Sequence, residues 1–491
     1  MRRALPICLL LLLCSPAACG RNGKRHTDWV EIRTPHFRIL TDGSVERGSA
    51  VGAQLECSNE ILSAKFVTDG NQPAPPLYVV AFRNASEMRQ VAPLGEGEAV
   101  RLGGLFLDTG SGRFIGIDLS TQNLNHIVAH EYSHSLVSSA GGQRLPLWLQ
   151  EGLAEVFAAS VTGESEIFES GPPAKKIPAM QLLGFREDSH EYKEQAFHGA
   201  FYSQASLTAE YLWMDQEHKK RLLTYLELTR GGKPIEVAVQ QAFQKSGAEL
   251  NRAVAEFASQ RRRARPAAKG SCTKVAGEIV PVSDLDAQAR VAEFESQTAE
   301  HLDDAIHKLE SILSENPKNE IALRGLAYGL WRRGDLKQAS ESFARAADAN
   351  PTDANLLYLS AALDTDGAHD QPAKRQRMQT ALLKAISLNP DFADAHHWLS
   401  LTYAWDGDYL AASDEGKRAV ELDPENEQFK FNLAAFYAHS QRWSEARGLC
   451  EGLAAASNKD VVSQAEALLK QIEHAQLERE ANDSSPTQGV Q

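Results

Sequence analysis

Apolar residues in the first part of the chain either alternate with polar ones or form short continuous runs, and both patterns are typical of β-strands. The segments that show them are residues 29–40, 77–82, 103–108 and 113–118. Pro35 divides the first of these, so that it forms two short strands or one edge strand. Residues 44–66 carry apolar positions at helical spacing, and Asn84 caps a short helix. This β-α-β-α-β-β order predicts a mixed sheet with helices packed on it.

Helical spacing dominates the segments that follow the sheet. Residues 126–134 and 145–157 predict two consecutive helices, separated by a Gly-Gly stop signal, with Pro146 at the start of the second. Residues 160–194, rich in charge and proline, are expected to form a loop over a cleft. Further helices are predicted at residues 207–214, 222–228, 234–243 and 250–261. The sheet and this helical lobe together make one α+β domain over residues 28–261.

A two-helix unit repeats through the C-terminal part of the chain. Asn-Pro or Asp-Pro pairs recur about every 34 residues, at Pro317, Pro351, Pro390 and Pro424. The unit at 320–352 fits best, with apolar or small residues at Leu323, Leu326, Ala327, Leu330, Ala339, Phe343 and Ala346. Residues 366–372 are an insertion, and residues 461–479 form a closing helix. The period resembles tetratricopeptide (TPR) repeats, which implies an all-α solenoid over residues 285–479.

The resemblance to TPR repeats implies a binding function. Such arrays take protein or peptide partners on the face lined by the first helix of each unit. The alternative is an array that packs on its own N-terminal domain or forms an oligomer contact. Residues 262–284, which start with a basic run, are predicted to be a linker, and residues 277–282 within it include a short strand without an assigned partner. Residues 480–491 are predicted to be a disordered tail.

Charge and length narrow the class of protein. The chain has 491 residues and a formal net charge of −14, with a pI near 5.6. This length suits two or three domains. The acidic balance argues against a nucleic-acid-binding surface and favours a soluble body.

The N-terminus has the features of an export signal. A basic start is followed by an apolar run over residues 4–13 that is too short to span a bilayer. Small residues precede Cys19, and this resembles a bacterial lipoprotein cleavage site, which implies lipidation at Cys19. Ordinary signal cleavage is the alternative, because Pro16 stands where such sites usually carry leucine. Residues 1–19 are thus a signal peptide, residues 20–27 a tether, and the periplasm or cell envelope the expected location, with membrane contact only through this end.

Three cysteines remain after the signal: Cys57, Cys272 and Cys450. Their wide spacing and odd number do not form a disulfide framework or a cysteine metal cluster. The spacing is compatible with a Cys57–Cys272 bridge and with free thiols alike.

The predicted helix at 126–134 carries the sequence His-Glu-x-x-His at residues 130–134. Residues four apart lie on one helical face, so that His130 and His134 present two imidazoles to one ion. Glu131 lies beside them, where it can act as general base. Catalytic zinc takes a third protein ligand and keeps one open position. Glu151 on the next helix is the predicted third ligand.

Glu155 follows Glu151 by one helical turn and shares its face. It is predicted to accept the second N–H of a ligating histidine and so to orient the ring. His126 also lies one turn from His130, but three histidines on one helix cannot converge on a tetrahedral ion. A substrate-side or capping role is therefore expected for His126. An amphipathic helix with exposed histidines and no metal is the alternative for the whole motif.

The two segments together, His-Glu-x-x-His and Trp148-Leu-Gln-Glu-Gly-Leu-Ala-Glu155, resemble the gluzincins, in particular the peptidase-MA-like group. The resemblance implies a zincin-like domain with a Zn²⁺ cofactor, His130, His134 and Glu151 as metal ligands, and Glu131 as the catalytic base. Zinc aminopeptidases share these residues, but no Gly-x-Met-Glu-Asn segment precedes His130. An endopeptidase is therefore expected.

Two further features would complete such a site. Tyr202 and His198 follow the zinc helices, and the family's habit of a Tyr-x-Gln element favours Tyr202 as the donor to the developing oxyanion. A packed aromatic is the alternative for Tyr202. Residues 103–118 are the candidate edge strand for extended substrate, and a purely structural hairpin is the equal alternative.

Taken together, the residues predict an exported zinc metallopeptidase whose TPR array recruits a protein substrate or partner. The alternative, from another class, is an envelope TPR scaffold with a vestigial or structural zinc domain. An intact base at Glu131 favours the enzyme, because a scaffold has no need of it.

Overall fold

The computed structural model describes residues 29–63, 77–92, 103–109, 112–139, 145–163, 177–185, 195–213, 215–263, 272–273, 275–365 and 367–483. The predicted signal peptide with Cys19, the tether and residues 484–491 lie outside the described residues. The predicted cleft loop lies outside them at residues 164–176 and 186–194, and α5, at Ala179–Gly184, forms between these two stretches.

The described strands form a mixed sheet in the order β4-β5-β3-β2-β1-β6. Their bounds are β1 Val30–Arg33, β2 Arg38–Thr41, β3 Leu77–Phe82, β4 Gly104–Thr109, β5 Gly112–Asp118 and β6 Glu278–Pro281. The β2–β3 and β3–β5 pairs are parallel and the other pairs antiparallel. Pro35 lies in the turn between β1 and β2, so the first segment forms two strands.

Both faces of the sheet are buried at its central strands, and the alternation of side chains along β3 shows how. Val79 and Ala81 point into the main core, whereas Val80 and Phe82 belong to a second apolar cluster on the opposite face. A strand covered on both faces needs a continuous apolar run. This is the pattern that residues 77–82 present.

Strand β6 comes from the segment that the sequence assigns to the linker. It adds to the sheet beside β1, with Ile279 opposite Ile32. A disulfide between Cys57 and Cys272 ties the chain to α1, Val45–Leu62, shortly before β6. The predicted strand at 277–282 therefore has a partner, and the chain returns to the N-terminal domain before the array begins.

Helices cover the main-core face of the sheet, except that Met88 in the short helix after β3 belongs to the cluster on the opposite face. After α1 come α2 Ala85–Met88, α3 Leu124–Ser139, α4 Leu147–Thr162, α5, α6 Gln195–Trp213, α7 Gln216–Arg230, α8 Ile235–Phe243 and α9 Gly247–Arg263. Helix α3 packs between the sheet and α4. Their apolar side chains form one continuous core with the inner face of the sheet. The helical lobe predicted from residue 145 onward is present in the described part of the chain.

The C-terminal part is an array of paired antiparallel helices. They are α10 Asp284–Glu295, α11 Leu302–Glu315, α12 Glu320–Arg333, α13 Leu336–Ala349, α14 Ala354–Ala362, α15 Pro372–Leu388, α16 Ala393–Trp405, α17 Tyr409–Leu422, α18 Glu427–His439, α19 Trp443–Gly452 and α20 Lys459–Asp483. Gly334 ends α12 with φ +91°, a left-handed conformation that favours glycine. A short 3₁₀ turn, Ala368–Asp370, lies in the predicted insertion. Within the described residues, no helix combines the length and apolar character that crossing a membrane requires.

The array docks on the outer face of the sheet through its first helix. Phe294 of α10 is fully buried, and its ring lies 6.0 Å from the rings of both Phe82 and Phe114. A Cβ added at Gly116 would come within 3.0 Å of the Phe294 ring, so the strand carries a glycine where the aromatic side chain presses on it. The outer apolar face of the sheet is thus covered by the array itself.

Charged groups extend this contact to the second unit. Arg290 and Arg324 lie on the Tyr78 ring, at 4.5 and 4.6 Å from its centroid, and both pair with the buried Glu293. Gln297 accepts a hydrogen bond of 2.7 Å from Thr109 at the end of β4. The first helices of the first two units therefore use their side chains to hold the chain's own sheet.

Candidate metal centre

Helix α3 is fixed on several sides before any metal is considered. The Tyr132 hydroxyl donates a 2.8 Å hydrogen bond to Asn59 Oδ1 on α1. Arg113 on β5 donates a 2.9 Å hydrogen bond to the Ser135 carbonyl. These contacts set the rotation of α3 about its axis, and that rotation decides where its histidines point.

Helix α4 is positioned by a close backbone approach. Trp148 is fully buried at its first turn, and Gly152 lies against α6. A Cβ at Gly152 would come within 2.4 Å of the Ala205 carbonyl oxygen, so only glycine lets the two helices lie this close. The residue before it, Glu151, then faces α3.

Three predicted ligands meet between α3 and α4. His130 Nε2 and His134 Nε2 lie 3.1 Å apart, and Glu151 Oε2 lies 3.4 Å from the first and 3.6 Å from the second. The three side chains are 12–13% exposed. The structure therefore places one donor atom each of His130, His134 and Glu151 within 3.6 Å of one another, in a largely buried position.

The triangle of donor atoms fits zinc. Tetrahedral zinc with bonds of about 2.0–2.1 Å sets its ligand atoms about 3.3 Å from one another, close to the observed edges. Two imidazole nitrogens and one carboxylate oxygen are also a donor set that zinc accepts. Burial opposes ionisation of Glu151, but the neighbouring His134 and His130 outweigh it and lower the pKa of that carboxyl to about 2. Glu151 is therefore a carboxylate at neutral pH, as a ligand must be.

Glu131, the predicted base, lies beside this triangle and is 8% exposed. Burial raises the pKa of Glu131, while the nearby His130 and His134 act in the opposite direction. Strand β4 passes over the carboxyl group. A Cβ added at Gly104 would lie 2.6 Å from Glu131 Cγ and 2.7 Å from its Oε1. The space that Glu131 occupies therefore depends on a glycine in the neighbouring strand.

Glu155 contacts two histidines. Its Oε1 lies 2.9 Å from His130 Nδ1, and its Oε2 lies 3.1 Å from His126 Nε2. His126 is 2% exposed. The substrate-side or capping role that the sequence suggested for His126 does not match this buried position. The sequence feature that could have indicated this position is a shared spacing. His126 lies four residues from His130 on α3, just as Glu155 lies four residues from Glu151 on α4.

Two aromatic residues border the site. The Tyr202 ring lies 6.3 Å from the His130 ring, and Phe106 of β4 stacks on His134 at 6.1 Å. Tyr202 is thus next to the candidate ligands, on α6, while the side chain of His198 lies outside the described residues. Phe106 was not singled out by the sequence, because nothing in an isolated strand indicates what its side chain will meet.

The predicted substrate strand lies at the edge of the described sheet. Within residues 103–118, β4 is the outer strand, and β5 is paired on both sides, with β3 and β4. The main-chain groups on the outer side of β4 face away from β5. The hairpin therefore brings the outermost strand at this side of the described sheet alongside Glu131 and His134.

The comparison with known protein families gives a match within the C-terminal array. A family model described as "Tetratricopeptide repeat" matches residues 298–363, which span the helices from α11 to α14. The prediction of TPR repeats is confirmed. A repeat array of this kind is a protein-interaction scaffold, so the chain carries one.

Several solved structures are similar to this chain. MamA shares 21% identity, covering 38% of this chain and 99% of MamA, with a TM-score of 0.29. YrrB, described as a TPR protein with an unusual peptide-binding site, shares 17% identity over 38% of this chain and 92% of YrrB, with a TM-score of 0.34. A thermophilic TPR protein of Thermus thermophilus shares 23% sequence identity, covering 35% of this chain and 92% of that protein, with a TM-score of 0.28. A search of curated proteins found no match.

The family match lies wholly within the array, away from α3 and α4. What is established is a helix-rich chain with a small mixed sheet and TPR repeats. The zincin fold, the zinc ion and the roles of the site residues stay predictions, supported by the geometry above and by the sequence resemblance.

Proposed function

We propose that this protein is a zinc-dependent endopeptidase of gluzincin type whose TPR array recruits a protein substrate or partner. The observation that carries the proposal is the triangle of His130, His134 and Glu151 with edges of 3.1–3.6 Å. A buried glutamate, Glu131, stands beside it.

The chain's own residues have distinct roles in this proposal. His130, His134 and Glu151 hold the ion, which when bound polarises the scissile carbonyl and lowers the pKa of water. Glu131 accepts a proton from the attacking water and returns it to the leaving amine. Burial raises the pKa of Glu131 toward the range in which both transfers are efficient. Tyr202 is the proposed donor to the oxygen of the reacting carbonyl.

The edge of β4 is the proposed substrate-binding surface. An extended peptide adds to such an edge by main-chain hydrogen bonds, with its side chains alternating between the two faces. Gly104 and Phe106 lie on this strand next to Glu131 and His134. A peptide bound along β4 therefore passes the candidate base, as hydrolysis requires.

The array contributes the recruitment of partners. The first helices α10 and α12 are engaged with the sheet through Phe294, Arg290 and Arg324. A partner that uses the same face of the array must therefore bind the later units, from α14 onward. Half-buried aromatic side chains on the first helices of these units, such as Tyr358, Trp398 and Phe431, support this assignment.

Export of the protein is part of the proposal. Disulfides persist in oxidising compartments, and the Cys57–Cys272 bridge supports the periplasm or cell envelope that the signal sequence suggests. Lipidation at Cys19 would provide the membrane anchor. Mass spectrometry of the mature N-terminus tests it, because a diacylated Cys19 and an unmodified cleaved end differ in mass.

The experiment compares wild type with Glu131→Gln. We expect purified wild type to contain one zinc per chain and to cleave members of a peptide library, with inhibition by a chelator and recovery on adding zinc. Glu131→Gln should retain zinc and lose roughly 10²–10⁴-fold in rate. Glu227→Gln, an exposed glutamate on α7, is the matched control and should keep full activity. Equal rates for wild type and Glu131→Gln would refute the role of Glu131.

The second candidate function is an envelope TPR scaffold with a vestigial or structural zinc domain. The family match to TPR repeats favours it, and that match fits this alternative better than it fits the peptidase. The two functions differ in one outcome. A protein that binds zinc but cuts no member of a peptide library is the scaffold.

A further inference from the structure

A chain of contacts continues from the candidate ligand His130 into the core. His130 Nδ1 lies 2.9 Å from Glu155 Oε1, and Glu155 Oε2 lies 3.1 Å from His126 Nε2. His126 is 2% exposed and Glu155 8%. Each oxygen of one carboxylate thus faces one imidazole, and the pair is closed off from water.

The helices explain why these groups coincide. Helix α3 carries His126, His130 and His134 on successive turns. Helix α4 carries Glu151 and Glu155 on successive turns. The helices are antiparallel, so residues 134 and 151 meet at one level, and residues 126 and 155 meet about two turns back along α3 and one turn on along α4. His130 belongs to both levels. Its Nε2 faces His134 and Glu151, while its Nδ1 faces Glu155.

The donor and acceptor atoms of these contacts indicate which ring nitrogen of each histidine carries a proton. A carboxylate only accepts hydrogen bonds, so His126 carries a proton on the Nε2 that bonds Glu155, and the approach of Glu155 to His130 favours the proton of that ring on Nδ1. His130 Nε2 is then left with a lone pair directed at the metal triangle. Neither His126 Nδ1 nor His130 Nδ1 has a hydrogen-bond partner among the described residues, although His130 Nδ1 lies 2.9 Å from Glu155 Oε1.

We propose that His126 is a positioning residue for the metal centre, which acts through Glu155. It holds one oxygen of Glu155 so that the other keeps the His130 ring in the orientation and tautomer that metal binding needs. The inference rests on the proposed function, because it takes the triangle of His130, His134 and Glu151 to be a zinc site.

Two substitutions separate the contact from the bulk of the side chain. In His126→Gln the amide nitrogen stands close to the place of Nε2, so the contact to Glu155 is retained. In His126→Asn the amide is one methylene shorter and falls short of Glu155, while its polarity is the same. His474→Gln, on an exposed histidine of α20, is the control for histidine loss in general.

The measurement is zinc affinity by competition with a chromophoric chelator, together with the visible spectrum of the cobalt-substituted protein. We expect His126→Asn to lose roughly 10–100-fold in zinc affinity, the usual effect of losing a partner of a ligand. His126→Gln and His474→Gln should stay within about threefold of wild type. The cobalt spectrum should change for His126→Asn only. Melting temperatures of the metal-free proteins establish that the variants are folded.

A double substitution tests the route through Glu155. Glu155→Gln alone should weaken zinc binding, and adding His126→Asn to it should cause no further loss, because the contact is already broken. Additive losses would overturn the route through Glu155.

The possible failures are distinguishable. If wild type binds no zinc, the proposed function and this inference fall together. If wild type binds one zinc and His126→Asn binds it equally well, only the role of His126 is wrong. If wild type binds two zinc ions and His126→Asn binds one, His126, Glu155 and His130 hold an ion of their own, and the positioning role is overturned.

Discussion

Glu131 and Glu151 are both buried carboxyl groups, and their surroundings move their pKa values in opposite directions. Burial raises the pKa of Glu131, whereas His134 and His130 overcome burial at Glu151 and lower its pKa to about 2. A permanently ionised carboxylate suits ligation, and a carboxyl group with a raised pKa suits proton transfer. The positions of these two glutamates on adjoining helices thus suit the different roles that are proposed for them.

Gly104 makes the position of Glu131 testable without changing a charged residue. In Gly104→Ala the new Cβ would overlap Glu131 Cγ, 2.6 Å away, so the carboxyl group must move. We expect kcat/KM for a peptide substrate to fall about 100-fold, as when a catalytic group is misplaced by about an ångström, while bound zinc stays at one per chain. Gly448→Ala, where nothing lies within 4 Å of the new Cβ, is the control. Unchanged kcat/KM in Gly104→Ala would contradict the role given to Glu131.

At the scale of helices and strands, the spacing of residues predicts much of what the structure contains. The four-residue spacing on α3 and α4 is enough to bring His130, His134 and Glu151 together once the helices are antiparallel. The repeat of prolines predicts the TPR units. What the sequence could not provide are partners that lie far away along the chain. Strands β6 and β1 pair although most of the N-terminal domain lies between them along the chain, and no local sequence pattern indicates that pairing.

Helix α16 of the array carries a buried histidine, His397, which should make the free energy of unfolding depend on pH. His397 stacks on Phe429 at 4.4 Å, and burial lowers the pKa of His397 to about 4. Between pH 6.5 and 4 the unfolded chain therefore binds a proton that the folded chain does not. The free energy of unfolding should fall as pH drops through this range, by on the order of 2 kcal/mol between pH 7 and 5.

Urea unfolding of wild type, His397→Gln and His474→Gln at pH 7 and pH 5, all in chelator, measures this effect. His397→Gln should lose most of the pH dependence, and His474→Gln, which removes an exposed histidine, should keep it. The same pH dependence in all three proteins would show that His397 is not the group responsible.

At the scale of the whole molecule, the array and the N-terminal domain share a buried interface. The outer face of the sheet is apolar, and α10 covers it with Phe294, while Tyr78 lies between Arg290 and Arg324. The first units of the array are thus part of the structure that supports the candidate site. The sequence left open whether the array packs on its own domain, because Phe294 looks like any other apolar position of a repeat helix.

Phe294→Ala should therefore destabilise the sheet, although Phe294 lies in the array. A buried Phe→Ala change costs about 3–5 kcal/mol, and faster amide hydrogen exchange should appear in β3 and β5. Phe343→Ala is the matched control, because Phe343 is equally buried but contacts Tyr328 and Trp331 inside the array. Its effect should stay within α12 and α13. Exchange in β3 and β5 that responds to neither variant, or equally to both, would contradict the shared interface.

The central claim is that two histidines of α3 and one glutamate of α4 hold a single zinc ion. X-ray absorption at the zinc edge of the purified protein tests it most directly. The expected spectrum shows two imidazole nitrogens and oxygen ligands at about 2.0–2.1 Å, and the imidazole signal is lost in a His130→Ala, His134→Ala double variant. A protein that carries no zinc, or zinc whose imidazole signal survives that double substitution, would contradict the account.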